Sequence, residues 1–180
     1  VSETNSFIID LTNKENGAST FEQSEETAWV TDILKHLEEL KDADIVLDVD
    51  GTIYAGRQHM LRPGADLLLE SLSGNNNRVH FWSRSSREHA AMVAEAFGLT
   101  DLLAPEGFHD KPSISRDENG RPRISSVAWT FEAACSTLGF RPDAIIDNEH
   151  VDLFPDAPED VVQIAVPTYN GTATAQVTIA

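Results

Sequence analysis

The apolar run Ile45-Val46-Leu47 is cut off by Asp48-Val49-Asp50-Gly51-Thr52-Ile53, and this junction constrains the fold more than any other feature. A short run of β-branched and large apolar residues reads as an interior strand. Two carboxylates one residue apart at the end of such a strand lose hydration and repel each other. A divalent cation or a shared proton removes that cost, and either one implies chemistry. The alternative is a pair of solvated aspartates opening a loop. An EF-hand calcium loop is excluded, because its glycine belongs at the sixth loop position and its glutamate at the twelfth. Gly51 is fourth from Asp48, and no glutamate follows at that distance.

Three more apolar runs repeat the strand pattern: Val79-His80-Phe81-Trp82, Ala144-Ile145-Ile146 ending at Asp147, and Val161 to Val166. Between them lie helical patterns. Ala28, Trp29, Ile33, Leu34, Leu37 and Leu40 recur at helical spacing within residues 25–40. Arg62-Pro63-Gly64 opens a short helix through Leu72, closed by Gly74-Asn75-Asn76-Asn77. Ser85 with Glu88 reads as a capping box for a helix ending near Gly98. A further helix is predicted from about Ser126 to Gly139, and residues 105–124, with Asn119-Gly120, as a hairpin. Strands alternating with helices imply right-handed crossovers and a parallel sheet. The predicted class is α/β, a Rossmann-like open parallel sheet flanked by helices with a small hairpin insertion. Residues 1–23 read as a polar arm in which Phe7-Ile8-Ile9 allow one short strand, and residues 24–180 as a single domain.

Thirty acidic against thirteen basic residues leave a net charge of −17 over 180 residues. The only lysines are Lys14, Lys35, Lys41 and Lys111. Such a surface argues against sequence-independent nucleic-acid binding, which depends on clustered cations. An anionic substrate stays open, since charges beyond about 8 Å are largely screened at physiological salt. The lone Cys135 excludes an intramolecular disulfide framework and a cysteine-based zinc site. No apolar run approaches the roughly 18 residues of a membrane span, and no signal-peptide pattern is seen. A cytoplasmic setting is the expectation; oligomeric state is not encoded in any pattern.

Ligands of an open parallel sheet bind beyond the carboxyl ends of its strands. Three predicted strands end in polar residues there: Asp48 and Asp50, then Ser83, then Asp147 and Asn148. All are hard oxygen donors, a set suited to Mg²⁺ rather than zinc.

Asp48-Val49-Asp50-Gly51-Thr52 after a hydrophobic strand resembles the first motif of the haloacid dehalogenase superfamily. Phe81-Trp82-Ser83 resembles its second motif, and Ile145-Ile146-Asp147-Asn148 its fourth, so the resemblance covers roughly residues 44–166. Arg62-Pro63-Gly64, the Asp147-Asn148 pair and the spacing are similar to one branch, the phosphatases like those acting on the RNA polymerase II C-terminal domain. Where that branch has Glu, this chain has Gly51.

The resemblance implies an Mg²⁺-dependent phosphatase acting through an aspartyl-phosphate. Asp48 is then the nucleophile, a competent one when a metal holds its charge. Asp50 protonates the leaving group and afterwards activates water, and its main-chain carbonyl joins the metal site. Ser83 holds the phosphoryl group. Asn148, with Asp147 directly or from behind, completes the site, giving Asp48, Asp50, Asp147 and Asn148 as the metal set. Gly51 permits a tight turn and close phosphate approach, with Thr52 beside it on the substrate side. The lysine of the third motif is Lys111 or is replaced by Arg121. Lys111 is preferred, although it precedes Asp147 by 36 residues, a gap the predicted hairpin accounts for. Its competing reading is a solvated loop lysine.

Arg84 and Arg87 fit either a grip on substrate phosphate or a solvated helix start. His59, His80, His109 and His150 show no ligand spacing. Trp82 and Cys135 read as core and Asp152 as surface. The roughly thirty residues between the first two motifs leave no room for a large cap, and an open site suits a phosphorylated macromolecule, a phosphoprotein before a nucleic acid. Competing readings are a small-molecule or nucleic-acid-end phosphatase, a non-catalytic docking module of the same fold, and chemistry on carbon–halogen or phosphonate bonds.

Overall fold

The computed structural model describes residues 8–12, 26–111, 118–119, 130–149 and 153–171. In chain order the strands are β1 (Ile8–Asp10), β2 (Asp44–Asp48), β3 (Tyr54–Ala55), β4 (Met60–Leu61), β5 (Arg78–Ser83), β6 (Phe108–Asp110), β7 (Ala144–Asp147) and β8 (Val162–Ala165). The helices are α1 (Ala28–Leu34), α2 (Ala65–Leu72), α3 (Arg87–Ala96) and α4 (Phe131–Leu138). Six strands form one parallel sheet in the order β1-β8-β7-β2-β5-β6. The fold is therefore α/β with a Rossmann-like parallel sheet. Strand β2 is central: the chain moves outward through β5 and β6, then returns to build β7 and β8 on the other side. A crevice at the carboxyl end of β2 follows from that reversal.

Alternation along the strands divides the core in two. Ile45, Leu47, Phe81, Ile146 and Ile164 face the layer of α1, α2 and α3, with Trp29, Ile33, Leu68 and Val93. Val46, Trp82, Ile145 and Ala165 face α4 and the 153–161 segment, with Phe131, Leu138 and Phe154. Full burial of a large apolar side chain contributes about 1.5–3 kcal/mol, so both faces stabilise the sheet. Gln163 is a buried polar residue on the second face. Its amide accepts from Phe154 N (2.6 Å) and donates to Phe154 O (2.8 Å), so a buried polar group is satisfied.

Several boundaries differ from expectation. Helix α1 stops at Leu34, and residues 35–39 continue as tighter turns, with His36 N, Leu37 N and Leu40 N each donating three residues back. Three- and four-residue spacing both keep Leu37 on the buried side, so the pattern could not tell them apart. The cap of α3 is Ser86, whose hydroxyl accepts from His89 N at 3.0 Å. Ser85 instead donates its N–H to Ser83 Oγ at 3.1 Å, so no Ser85–Glu88 capping box forms. Helix α4 begins at Phe131, because Thr130 is extended and caps Ala133 N; the predicted start at Ser126 lies outside the described residues.

Residues 108–110 form a strand of the main sheet, paired parallel with β5; most of 112–124, and with it the rest of the predicted hairpin, lies outside the described residues. The short hairpin that is described is antiparallel β3–β4, directly after β2. The strand expected near residues 7–9 is Ile8–Asp10, paired with β8, so at these positions the arm is part of the sheet. No helix among the described residues is long and apolar enough to cross a membrane.

Candidate active site

The loop after β2 is wound around one carbonyl. Thr52 N, Ile53 N and Tyr54 N all donate to Val49 O, at 3.3, 3.0 and 3.2 Å. Gly51 makes this turn at φ +81°, a conformation costly for any residue with a Cβ. A Cβ there would also come within 2.6 Å of the Asn148 amide. The loop is stapled from behind: Tyr169 N donates to Gly51 O at 2.7 Å. Arg62 Nη1 donates to Thr52 O (3.1 Å) and Pro167 O (2.8 Å), and its guanidinium stacks 4.2 Å from the Trp29 ring. Burial lowers the Arg62 pKa to about 10, which leaves it cationic at neutral pH.

This framework presents Asp48 at the floor of the crevice beside Asp147 and Lys111. Their exposures are 5%, 0% and 3%. Lys111 follows β6, and its backbone N–H donates to Ser83 O, which fixes where its side chain begins. Lys111 Nζ lies 2.8 Å from Asp48 Oδ1 and 2.6 Å from Asp147 Oδ2, and 5.2 Å from the centre of the Trp82 ring. Asp48 Oδ2 accepts from Thr52 Oγ1 at 2.8 Å. Burial opposes charge on Lys111, but the two aspartates outweigh it and hold the ammonium above its ordinary range. Asp48 goes the other way. Burial first, and then the charge of Asp147, push its carboxyl up to about 7 against the pull of Lys111 and Thr52. One lysine does not neutralise two buried carboxylates.

The far side of the pair carries Asn148. One end of its amide meets Asp48 Oδ2 (2.9 Å), Thr52 Oγ1 (3.2 Å) and Asp147 Oδ1 (3.3 Å); the other meets Thr168 Oγ1 (3.1 Å). With nitrogen inward the amide donates to Asp48; with oxygen inward, oxygen donors converge. Adjacent ligands of an octahedral Mg²⁺ at about 2.1 Å lie about 3 Å apart, so the spacing fits that ion. Among the described residues no group of three or more His, Cys, Asp or Glu is arranged for a metal. A cation here would therefore take Asp48, Asp147, the amide oxygen of Asn148, main-chain carbonyl and water.

Asp50 is turned away from that cluster. Its Oδ2 accepts from Ser83 Oγ at 3.0 Å and its Oδ1 from His89 Nε2 at 2.8 Å. Its carboxylate thus leaves only the main chain of Asp50 for a metal, and its side chain is 41% exposed at the crevice mouth.

Of the residues singled out in sequence, Asp48, Gly51, Thr52, Lys111, Asp147 and Asn148 are brought together, with Ser83 and Asp50 forming an adjoining pair. Arg84 is half-buried just beyond Ser83, and Arg121 lies outside the described residues. Arg87 starts α3 and is exposed. His59 bonds Tyr54 Oη at 2.7 Å, and His80 and His109 pair with each other on the sheet. Sequence reasoning missed His89 and Arg62 as site-shaping residues. No spacing marks His89, because its place depends on how α3 is rotated over β5; the stack of Arg62 on Trp29 joins residues 33 apart. A shallow open pocket lies beside Gly51, lined by Tyr54, Arg57, Gln58, Tyr169 and Asn170. No protein-family model, curated protein or solved structure matches the chain.

Proposed function

We propose that the chain is an Mg²⁺-dependent phosphatase of the haloacid dehalogenase type, hydrolysing phosphate monoesters through an aspartyl-phosphate. The observation that carries this reading is Asp48: a buried carboxylate beside Asp147, served by one lysine and one hydroxyl and short of positive charge. A carboxylate held in that way is set up for exchange with an anionic group that brings a cation with it.

In this reading an oxygen of Asp48 attacks phosphorus while the bond to the leaving oxygen breaks. Asp50 gives its proton to that oxygen. Asp50, now a carboxylate, takes a proton from water as the water oxygen attacks phosphorus; the Asp48–phosphorus bond breaks and inorganic phosphate leaves. Lys111 neutralises phosphoryl oxygens during both steps, and Ser83 turns its single hydroxyl proton from Asp50 Oδ2 to them, which frees that oxygen for proton exchange. Asp48, Asp147, Asn148 and the Asp50 carbonyl would hold Mg²⁺, which would supply the charge that lets a phosphate dianion approach a carboxylate.

Asp50 is 41% exposed, and the open pocket beside Gly51 is lined by the β3–β4 hairpin together with Tyr169 and Asn170. This supports a substrate whose phosphate enters while its body stays outside, a phosphoprotein or other macromolecule. The test is hydrolysis of p-nitrophenyl phosphate with and without Mg²⁺. We expect turnover that requires Mg²⁺ and falls to background in Asp48→Asn; equal rates in both proteins sink the assignment. Faster turnover of sugar phosphates than of phosphopeptides overturns the macromolecular substrate alone.

A further inference from the structure

Asp50 is held by two donors from two different elements. Ser83, the last residue of β5, donates to Oδ2, and His89, in the first turns of α3, donates to Oδ1. The ring of His89 is itself fixed. Its backbone N–H is capped by Ser86, and the start of α3 is tied to β6 by Arg87 N donating to Asp110 Oδ1 at 2.7 Å. The Tyr54 ring packs edge-on against the imidazole with centres 5.9 Å apart. The backbone that aims His89 is thus fastened to the strand that carries Lys111.

We propose that His89 is a positioning residue for Asp50. By occupying Oδ1 it fixes the carboxyl rotamer, so that Oδ2 is the oxygen that exchanges protons with the leaving group and then with water. Oδ2 is the oxygen that faces Ser83, at the end of β5, the strand paired with β2. Without His89, a half-exposed Asp50 turns freely about χ2 and presents either oxygen, or neither. A general acid or base contributes about 10²–10⁴-fold when it is in place, and small misplacements forfeit part of that factor.

The inference rests on the phosphatase reading, and the leaving group separates the two. Nitrophenolate departs readily without a proton, whereas phenolate needs one. The experiment compares wild type, His89→Ala and His89→Gln on p-nitrophenyl phosphate and phenyl phosphate, both with Mg²⁺. His89 is 23% exposed, so replacing it leaves the apolar core intact. We expect kcat/KM of His89→Ala, which reports the step in which the leaving group departs, to fall at least about tenfold further on phenyl phosphate than on p-nitrophenyl phosphate. His89→Gln, which keeps an N–H near the Nε2 position, recovers most of that difference. A loss equal on both esters, no loss, or a glutamine no better than alanine overturns the role of His89 and leaves the phosphatase reading standing. A wild-type protein that hydrolyses neither ester overturns that reading and this inference with it.

Discussion

Strand β2 carries an aspartate at each end, and the two meet opposite fates. Asp44, at the amino end, is closed electrostatically. The fork of Arg78 takes both of its oxygens at 2.8 and 2.9 Å, and His80 Nε2 adds a bond of 2.9 Å to Oδ1. The hydrogen bond from Arg78 leads in holding its carboxyl below the usual range, against partial burial. Behind it, His80 Nδ1 meets His109 Nε2 at 3.1 Å, and Phe140 stacks 4.3 Å from the His80 ring. Asp48, at the carboxyl end, is deeper and shares its one cation with Asp147, so its carboxyl is pushed up. The contrast teaches that the carboxylate type decides little. Burial and the local count of charges hold one carboxyl below its usual range and push the other above it.

The strongest way to break this contrast is to remove the cation from each cluster. Lys111→Met strands two buried carboxylates and should cost about 3–5 kcal/mol in urea unfolding. Arg78→Ala, at the surface, should cost far less. Equal losses would mean that the clusters do not differ in the way described.

Metal binding sharpens the comparison through pH. The folded carboxyl of Asp48 titrates well above that of an unfolded aspartate, so the folded chain binds the extra proton. Its contribution to stability is full below the ordinary carboxyl pKa and is lost as pH rises through about 7. Mg²⁺ should therefore stabilise the protein more at pH 8 than at pH 5, reaching about 2.7 kcal/mol at pH 8 when it is at a hundredfold excess over its dissociation constant there. Thermal melts of wild type and Asp48→Asn check this; a shift that survives in the mutant places the ion elsewhere.

An effect of the opposite sign belongs to the amino-end cluster. Burial, and then the charge of His80, lower the His109 pKa to about 4. An unfolded histidine protonates near 6.5, so between these values the unfolded chain holds more protons. Stability from this residue is present above about 6.5 and is lost as pH falls toward 4. His109→Gln should flatten the acid limb of a stability–pH curve, and an unchanged limb refutes the assignment.

Much of the fold was legible because it depends on local periodicity. Ile45-Val46-Leu47, Phe81-Trp82 and Ile145-Ile146 are buried on both sides of the sheet, and such runs carry the strand signal in their own composition. Helix ends were less legible. Ser85 and Ser86 are chemically the same cap, and the bond from Ser85 N to Ser83 Oγ decides between them. Edge strand β6 was hidden because Phe108-His109-Asp110 is short and only partly buried, so it lacks an apolar pattern of its own.

The sequence by itself determined that carboxylates, a hydroxyl and an amide stand at the ends of interior strands, because strand ends follow from where apolar runs stop. The tertiary structure alone decided which of them share a charge. Lys111 reaches Asp48 and Asp147 across separations of 63 and 36 residues, and His89 reaches Asp50 across 39. Those meetings are set by the register of β6 on β5 and the rotation of α3. Coulomb energy depends on distances in space, on which linear order places almost no constraint.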